Sequence, residues 1–372
     1  MKLTFQKSAL LNGINIVLKA VPSKTTMPIL ECILIDASTD IIKLTANDME
    51  LGIETKVEGD ILEKGKIALD AKLFSEITRK LSDADSIVTI ESDEKFNTTI
   101  RCENSVFKIQ GKDGEEFSYL PYIEKNKYIC LSQFSLKEII RQTIFSISVN
   151  DSNKMMTGEL FEVDENTLRV VSLDGHRMAI RKIELKDTYE NTKVIVPGKT
   201  LNEISKILTG DNEKDVQIFF GTNHILFEFD DTIVVSRLIE GEYFKVDQML
   251  SSDYSTKITV NKKEFSDCIE RAIILVREND KKPIILNIEE SKMGLKLNSS
   301  FGTMDAEVLI HKTGQDLMIG FNPKFLIDAL KIIDDEEVTL YMMNAKSPCF
   351  IKDENESYIY LILPVNFNAA AI

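Results

Sequence analysis

Apolar positions along this chain repeat one figure three times. Leu3 and Phe5 alternate as in a strand, and Leu10, Ile14, Val17 and Leu18 follow at helical spacing. Ile129 and Leu131 lead in the same way into Leu136, Ile140, Thr143 and Ile144, and Ile258 and Val260 lead into Phe265, Ile269, Ala272 and Ile273. The copies lie 126 and 129 residues apart. A second figure runs with the first: "IALDAKLFSEITRKL" (67–81), "VIVPGKTLNEISKIL" (194–208) and "LMIGFNPKFLIDALKII" (317–333). Each is a short apolar strand, a turn with Asp, Gly or Asn, a lysine at 72, 199 or 324, an amphipathic helix and then a further strand.

A third figure is a hairpin. "IIKLTANDMELGIETKVE" (41–58) matches "TLRVVSLDGHRMAIRKIE" (167–184), with "GLKLNSSFGTMDAEVLI" (294–310) a looser copy. Asp48 and Asp174 align at its turn, and only the middle copy carries His-Arg there. Repeats this long are domains with their own cores, not solenoid units. The pattern predicts an α+β chain of three domains of like fold, 1–125, 126–253 and 254–372, with polar linkers near 123–128 and 250–256.

Charge changes the picture only when it is divided among these elements. The whole chain carries −15, which taken alone argues against a nucleic-acid partner. The six helical segments expected at 7–24, 71–81, 134–150, 199–208, 262–282 and 322–333 are each net positive and together carry +9, leaving −24 on the rest. A basic helical face backed by an acidic body suits a phosphate backbone and repels it elsewhere. No recognition-helix motif or zinc finger accompanies it, so base-specific readout is not expected.

The chemistry of a catalyst is thin. His176, His224 and His311 are the only histidines, and none belongs to a GxSxG, an HExxH or a ligand spacing for metal. No Walker loop or dinucleotide fingerprint is present, the five cysteines form no CxxC, and "DDEE" at 334–337 reads as a solvated turn. The expectation is a non-catalytic protein without cofactor or metal. Reduced thiols and the lack of a signal peptide or of an apolar run near ~18 residues suggest a soluble, cytoplasmic chain with no membrane partner.

"LDGHRMA" between its two strands, "VIVPGK", "IGFNPKFL", "NAKSPCFI" and the terminal "YIYLILPV", set in three tandem repeats, resemble the β sliding clamp of bacterial DNA polymerase III over the whole chain. The resemblance implies three clamp domains per chain and a head-to-tail homodimer closed into a ring around double-stranded DNA, without sequence preference. It implies DNA contacts at Lys24, Lys72, Arg79, Asn150 and Lys199, to which the internal repeat adds Lys324. It implies a cleft for short linear motifs of the replicative polymerase, the clamp loader, other polymerases and mismatch-repair proteins. The cleft positions are Met156, Leu173, Gly175, His176, Arg177, Met178 and Met249, with Asn322, Phe325, Pro348, Leu361, Leu363, Pro364 and Val365 from the last domain. Phe107 on the first domain and Ile274 and Leu275 on the third are the implied dimer contacts. Acids near Asp305 and Glu307 are expected to face bases near 72–80 or Arg101.

Departures from the family pattern fall at Phe244, Gln248 and Asn366 and in the apolar tail after Asn368. Two other classes remain open at this point. One is a repeated α+β adaptor that binds peptides and never encircles DNA; the other is a phosphate-ester hydrolase using Asp174 and His176.

Overall fold

The computed structural model describes residues 1–150, 152–277 and 282–367. The chain divides into two compact units, Met1–Lys137 with Lys199–Leu238 and Glu138–Gly198 with Ile239–Ile372. All three points where the chain passes between units therefore fall inside the middle repeat.

In the first unit a five-stranded sheet runs Asp60–Glu63, Lys2–Gln6, Ile87–Ser92, Asn97–Cys102, Ser105–Gln110. A nine-stranded sheet includes Cys32–Asp36, Ile42–Asn47 and Leu51–Val57 from the first repeat, then Thr232–Arg237, His224–Phe229 and Asp215–Phe220 from the second. The link is the antiparallel pairing of Leu51–Val57 with Thr232–Arg237, Ile53 opposite Val234. In the second unit a twelve-stranded sheet is joined in the same way, Arg177–Glu184 pairing with Tyr358–Ile362 and Ala179 opposite Tyr360. Both members of the second pair stand 126 residues beyond the first, so one joint is used twice. These long-range ladders are why compactness does not follow the repeats.

Six α-helices are described: α1 Lys7–Val17, α2 Ala71–Lys80, α3 Gln133–Thr143, α4 Gly198–Ile207, α5 Lys262–Ile273 and α6 Pro323–Ile332. Each has the apolar face that the 3.6-residue period demands. On α1 the buried face is Leu10, Gly13, Ile14 and Val17. Gly13 is needed there, because a Cβ would stand 2.4 Å from Val57 Cγ2. Side-chain caps start four helices, Asp70 accepting from Leu73 N–H, Ser132 from Ser135 N–H, Asn261 from Glu264 N–H and Asn322 from Lys324 N–H. In the second unit Phe265, Ile269 and Ala272 of α5 share one buried core with Leu326, Ile327 and Leu330 of α6.

Three helices are shorter than expected. The segment 7–24 is helical to Val17, makes a 3-10 turn over Leu18–Ala20 and turns extended at Val21, the residue before Pro22, where proline disfavours helix. The segment 134–150 stops at Thr143, passes through a 3-10 turn and leaves Val149 fully exposed. The segment 262–282 stops at Ile273, and 278–281 lie outside the described residues. Here the charge expectation fails for one helix. Within α5, Lys262, Lys263 and Arg271 are balanced by Glu264, Asp267 and Glu270, so it is neutral while the other five remain positive.

Candidate functional site

The hairpin Thr167–Leu173 and Arg177–Glu184 closes with Leu173 opposite Met178. Asp174 forms its turn: Oδ1 accepts the backbone N–H of His176 at 2.9 Å and of Arg177 at 3.1 Å. Gly175 takes φ +87, the left-handed region open to glycine at little cost. The first repeat uses the same device, with Asp48 Oδ1 accepting from Glu50 and Leu51 N–H and Met49 at φ +74.

Arg177 is the hub of this turn. Its Nε donates to Asp174 Oδ2 at 3.0 Å, Nη1 to Asp328 Oδ2 on α6 at 2.6 Å, and Nη2 to the Phe145 carbonyl. The guanidinium lies 4.6 Å over the Phe325 ring and 5.3 Å over Phe145. His176 stacks on Phe325 at 6.1 Å, and its carbonyl accepts the Leu363 N–H at 2.9 Å. Asp174 is thus committed to Arg177 and the turn amides and not to the His176 ring, and that ring engages a phenyl face.

Below the turn lies an apolar floor. Leu173, Met178 and Leu361 belong to one buried cluster with Val171, Ile180, Val246 and Phe350, and Met156 packs against it. Met178 sits opposite Leu361 across the joint. The chain's last described residues form one edge. Val365 N–H donates to the Gly320 carbonyl at 2.8 Å, and a Cβ on Gly320 would stand 2.8 Å from the Phe367 ring. From Gly320 the strand Leu317–Phe321 leads into Asn322 and α6, which carries Phe325.

Contacts therefore link Met156, Leu173, Gly175, His176, Arg177, Met178, Asn322, Phe325, Leu361, Leu363 and Val365 into one neighbourhood over an apolar floor. Met249 is 44% exposed and stands outside the buried cluster, to which its neighbours Val246 and Leu250 contribute instead. Pro348 and Pro364 are half-buried, Pro348 two residues before the clustered Phe350 and Pro364 beside the exposed Leu363. Of the departures, Phe244 packs against the cluster, Gln248 and Asn366 are exposed, and 368–372 lie outside the described residues. The sequence reading missed Asp328 and Phe145. Asp328, one helical turn beyond Lys324 on the face toward the hairpin, was the only available signal.

The predicted basic positions are all exposed: Lys24, Lys72, Arg79, Lys199 and Lys324, with Asn150 beside them in kind. Lys72, Lys199 and Lys324 are the second residues of α2, α4 and α6. A cation there opposes the helix macrodipole, so helix stability does not account for its threefold use, whereas an anionic partner would. Lys199 is ion-paired with Asp48, and Arg79 Nη2 donates to Ser75 Oγ at 3.3 Å.

Among the open strand edges, two carry exposed apolar residues that bear on the dimer contacts. Ser105–Gln110 ends the five-stranded sheet with Val106 and Phe107 48% and 37% exposed. On Gly302–Gly314, residues 302–309 pair with Lys292–Ser299, and only 310–314 pair with Thr256–Asn261. Leu309 on this strand is 73% exposed and Ile274, just past α5, is 81% exposed, while Leu275 packs partly into the third-repeat core. Asp305 and Glu307 do not await outside partners only: they already pair with Lys296 and Lys292.

The chain matches three family models in order: DNA polymerase III beta subunit N-terminal domain over 1–121, central domain over 130–245 and C-terminal domain over 247–366. It is 35% identical to the beta sliding clamp of Staphylococcus aureus strain Mu50, covering 98% of this chain and 99% of that protein. A putative DNA polymerase III beta subunit from Eubacterium rectale superposes with TM-score 0.96 at 64% identity, over 99% of this chain and 100% of that one. The DNA polymerase sliding clamp from Bacillus subtilis gives TM-score 0.95 at 35% identity, again over 99% and 100%.

Proposed function

Because the chain belongs to the family of DNA polymerase III beta subunits, we propose that it is a sliding clamp: two copies close head to tail around duplex DNA, slide without reading sequence, and hold a polymerase there. It makes and breaks no bond.

The observation that carries this reading is the joint. Leu51–Val57 takes Thr232–Arg237, and Arg177–Glu184 takes Tyr358–Ile362, each the next repeat's closing strand. Continuing the series leaves one half of a third joint at each end of the chain. The strand Ser105–Gln110 corresponds to Thr232–Arg237 at an offset of 127, with its neighbour in the same register, Asn97 opposite Gln110 as His224 is opposite Arg237. Its counterpart is the half-paired strand Gly302–Gly314. Phe145 stacks edge-on to Tyr360 at 5.8 Å across the second joint. The residue 129 beyond Phe145 is Ile274, and the residue matching Tyr360 on the first edge strand is Phe107. Both are exposed, and joining them twice makes a closed two-chain ring.

The lysines at the starts of α2, α4 and α6, with Lys24, Arg79 and Asn150, then serve as phosphate contacts, weak singly and indifferent to base. The cleft around Arg177 serves short motifs of the polymerase, the clamp loader, other polymerases and mismatch-repair proteins, with apolar anchors on the Leu173, Met178 and Leu361 floor. Met156 and Met178 supply a surface that adapts to several ligands. The three clamp domains are taken as 1–125, 126–253 and 254–372.

The test is topological. The protein is loaded by a clamp loader and ATP onto a nicked circular plasmid, the salt is raised, and the circle is then cut. Retention on the circle with prompt loss on linearisation is expected, since salt weakens phosphate contacts but opens no ring. Equal loss from circular and linear DNA would leave a peptide-binding adaptor instead.

A further inference from the structure

We propose that the first joint holds a second peptide groove, kept closed by the chain's own residues 118–121 with Leu120 as the anchor. The groove takes a short apolar-anchored peptide of the cleft's class once Leu120 is withdrawn. The inference rests on the motif-binding reading of the cleft given above.

The register pairs identify the groove. At the second joint Leu173 faces Met178, and Met178 faces Leu361. At the first joint Asn47 faces Gly52, and Gly52 faces Val235. Met49 and Glu50 hold the turn places of Gly175 and His176, and His224 holds the place of Pro348, two positions before the residue that pairs with Val235 or Leu361. Six cleft positions therefore have counterparts here, and those counterparts line one cavity of about 250 Å³ together with 118–121.

What differs is the floor. Where the second joint has the Met178 side chain, the first has Gly52, and Leu120 takes the space: a Cβ on Gly52 would stand 2.1 Å from Leu120 Cδ2. Leu120 also packs against the buried cluster of Ile123, Phe219, Leu226 and Val235. The segment is fastened on both sides of it. Asn47 Nδ2 donates to the Ser118 carbonyl at 3.5 Å, and Lys66 Nζ donates to the Tyr119 hydroxyl at 2.6 Å. Counted from Phe117 and Phe244, the second joint's residue in place of Leu120 is Asp247, 79% exposed and paired with Arg169. At the second joint that segment sends Val246 and Leu250 to the floor cluster, and the position matching Leu120 carries an exposed acid in place of an apolar anchor. Preorganised intramolecular occupancy also exceeds the effective concentration of any free motif, which keeps the first groove silent.

The experiment is isothermal titration of the full-length protein with a synthetic octapeptide bearing adjacent Leu and Phe anchors. Wild type is expected to bind one peptide per chain and Leu120→Ala two, with Met49→Arg at the rim abolishing only the added site. One site in both proteins overturns the plugged groove and leaves the cleft reading intact. No site in wild type and one in Leu120→Ala overturns the cleft reading but supports the groove; no site in either overturns both. Leu120→Asp, which installs the second joint's residue, is read in the same way if the alanine variant does not fold.

Discussion

Glu159 should make the protein less stable as pH rises, and Glu159→Gln should remove that dependence. Its carboxyl is wholly buried on the strand Gly158–Asp164, and Oε1 has no hydrogen-bond partner. Oε2 lies 3.1 Å from the Thr143 hydroxyl, which is also 2.7 Å from the Ile139 carbonyl. A hydroxyl has one proton. If Thr143 gives it to Ile139 as helix threonines do, the contact with Glu159 requires a proton from the carboxyl. Burial pushes the Glu159 carboxyl well above the ordinary glutamate range, in the same direction as this proton count, although the Thr143 contact opposes it. The neighbouring Tyr243 phenol is likewise pushed up, first by burial and then by the Glu159 charge.

An acid whose folded pKa is raised keeps its proton in the native state after the unfolded chain has lost it. Above the unfolded value of about 4.5 stability therefore falls as pH rises, by up to about 1.4 kcal/mol per unit, until the buried group itself ionises and the slope ends. Glutamine supplies a donor to Thr143 and never ionises. Urea midpoints from pH 4 to 8 should coincide for wild type and variant at the acid end and diverge toward pH 8, the variant being the more stable. Parallel curves would refute a neutral Glu159, and a wild type that gains stability with pH relative to the variant would reverse its sign.

Four further outcomes are expected. Arg177→Met leaves Asp174 and Asp328 without their shared cation; the cost is about 3 kcal/mol, measured by denaturation, with a parallel loss of peptide affinity in the cleft. Ile274→Asp forfeits about 2 kcal/mol of apolar burial at each of two symmetric joints and adds a carboxylate to desolvate, so sedimentation at micromolar concentration should show monomers; a persistent dimer would exclude the proposed joint. Lys72→Ala should lower the slope of log affinity for linear duplex against log salt by about 0.9, without changing relative affinity among DNA sequences. His176→Ala should weaken peptide binding by losing its stack on Phe325, while leaving ring retention on circular DNA unchanged.

The repeats were legible because both signals are local. Strand alternation followed by a helical stripe placed α2, α4 and α6 to within a residue or two, and the paired Asp48 and Asp174 marked turns that the structure builds alike. Helix ends were less legible. An apolar stripe does not register the extended Val21 before Pro22, nor the break at Thr143, so three helices were drawn long and α5 was credited with charge that lies beyond it. The residues named for the cleft came from resemblance, and most of them do converge. What holds them was invisible, because Arg177 finds Asp328 at a separation of 151 residues and Phe145 at 32. The joints were equally hidden: Ile53 meets Val234 and Ala179 meets Tyr360 through ladders that leave no periodic trace linking one strand to the other.

The same repetition explains how an acidic chain can hold DNA without gripping it. Lys72, Lys199 and Lys324 recur at one helical position, against the dipole, and Lys199 is already shared with Asp48. On the proposed reading each phosphate contact is shallow, and a shallow contact at equivalent positions changes little as the duplex advances. Affinity strong enough to retain DNA through such contacts would also resist sliding. Retention has to come from elsewhere, and the proposed joint supplies it through the open edges at Ser105–Gln110 and Gly302–Gly314. Closing them converts a problem of affinity into one of topology. On the proposed reading, persistence on DNA depends on the exposed Phe107 and Ile274 more than on any lysine.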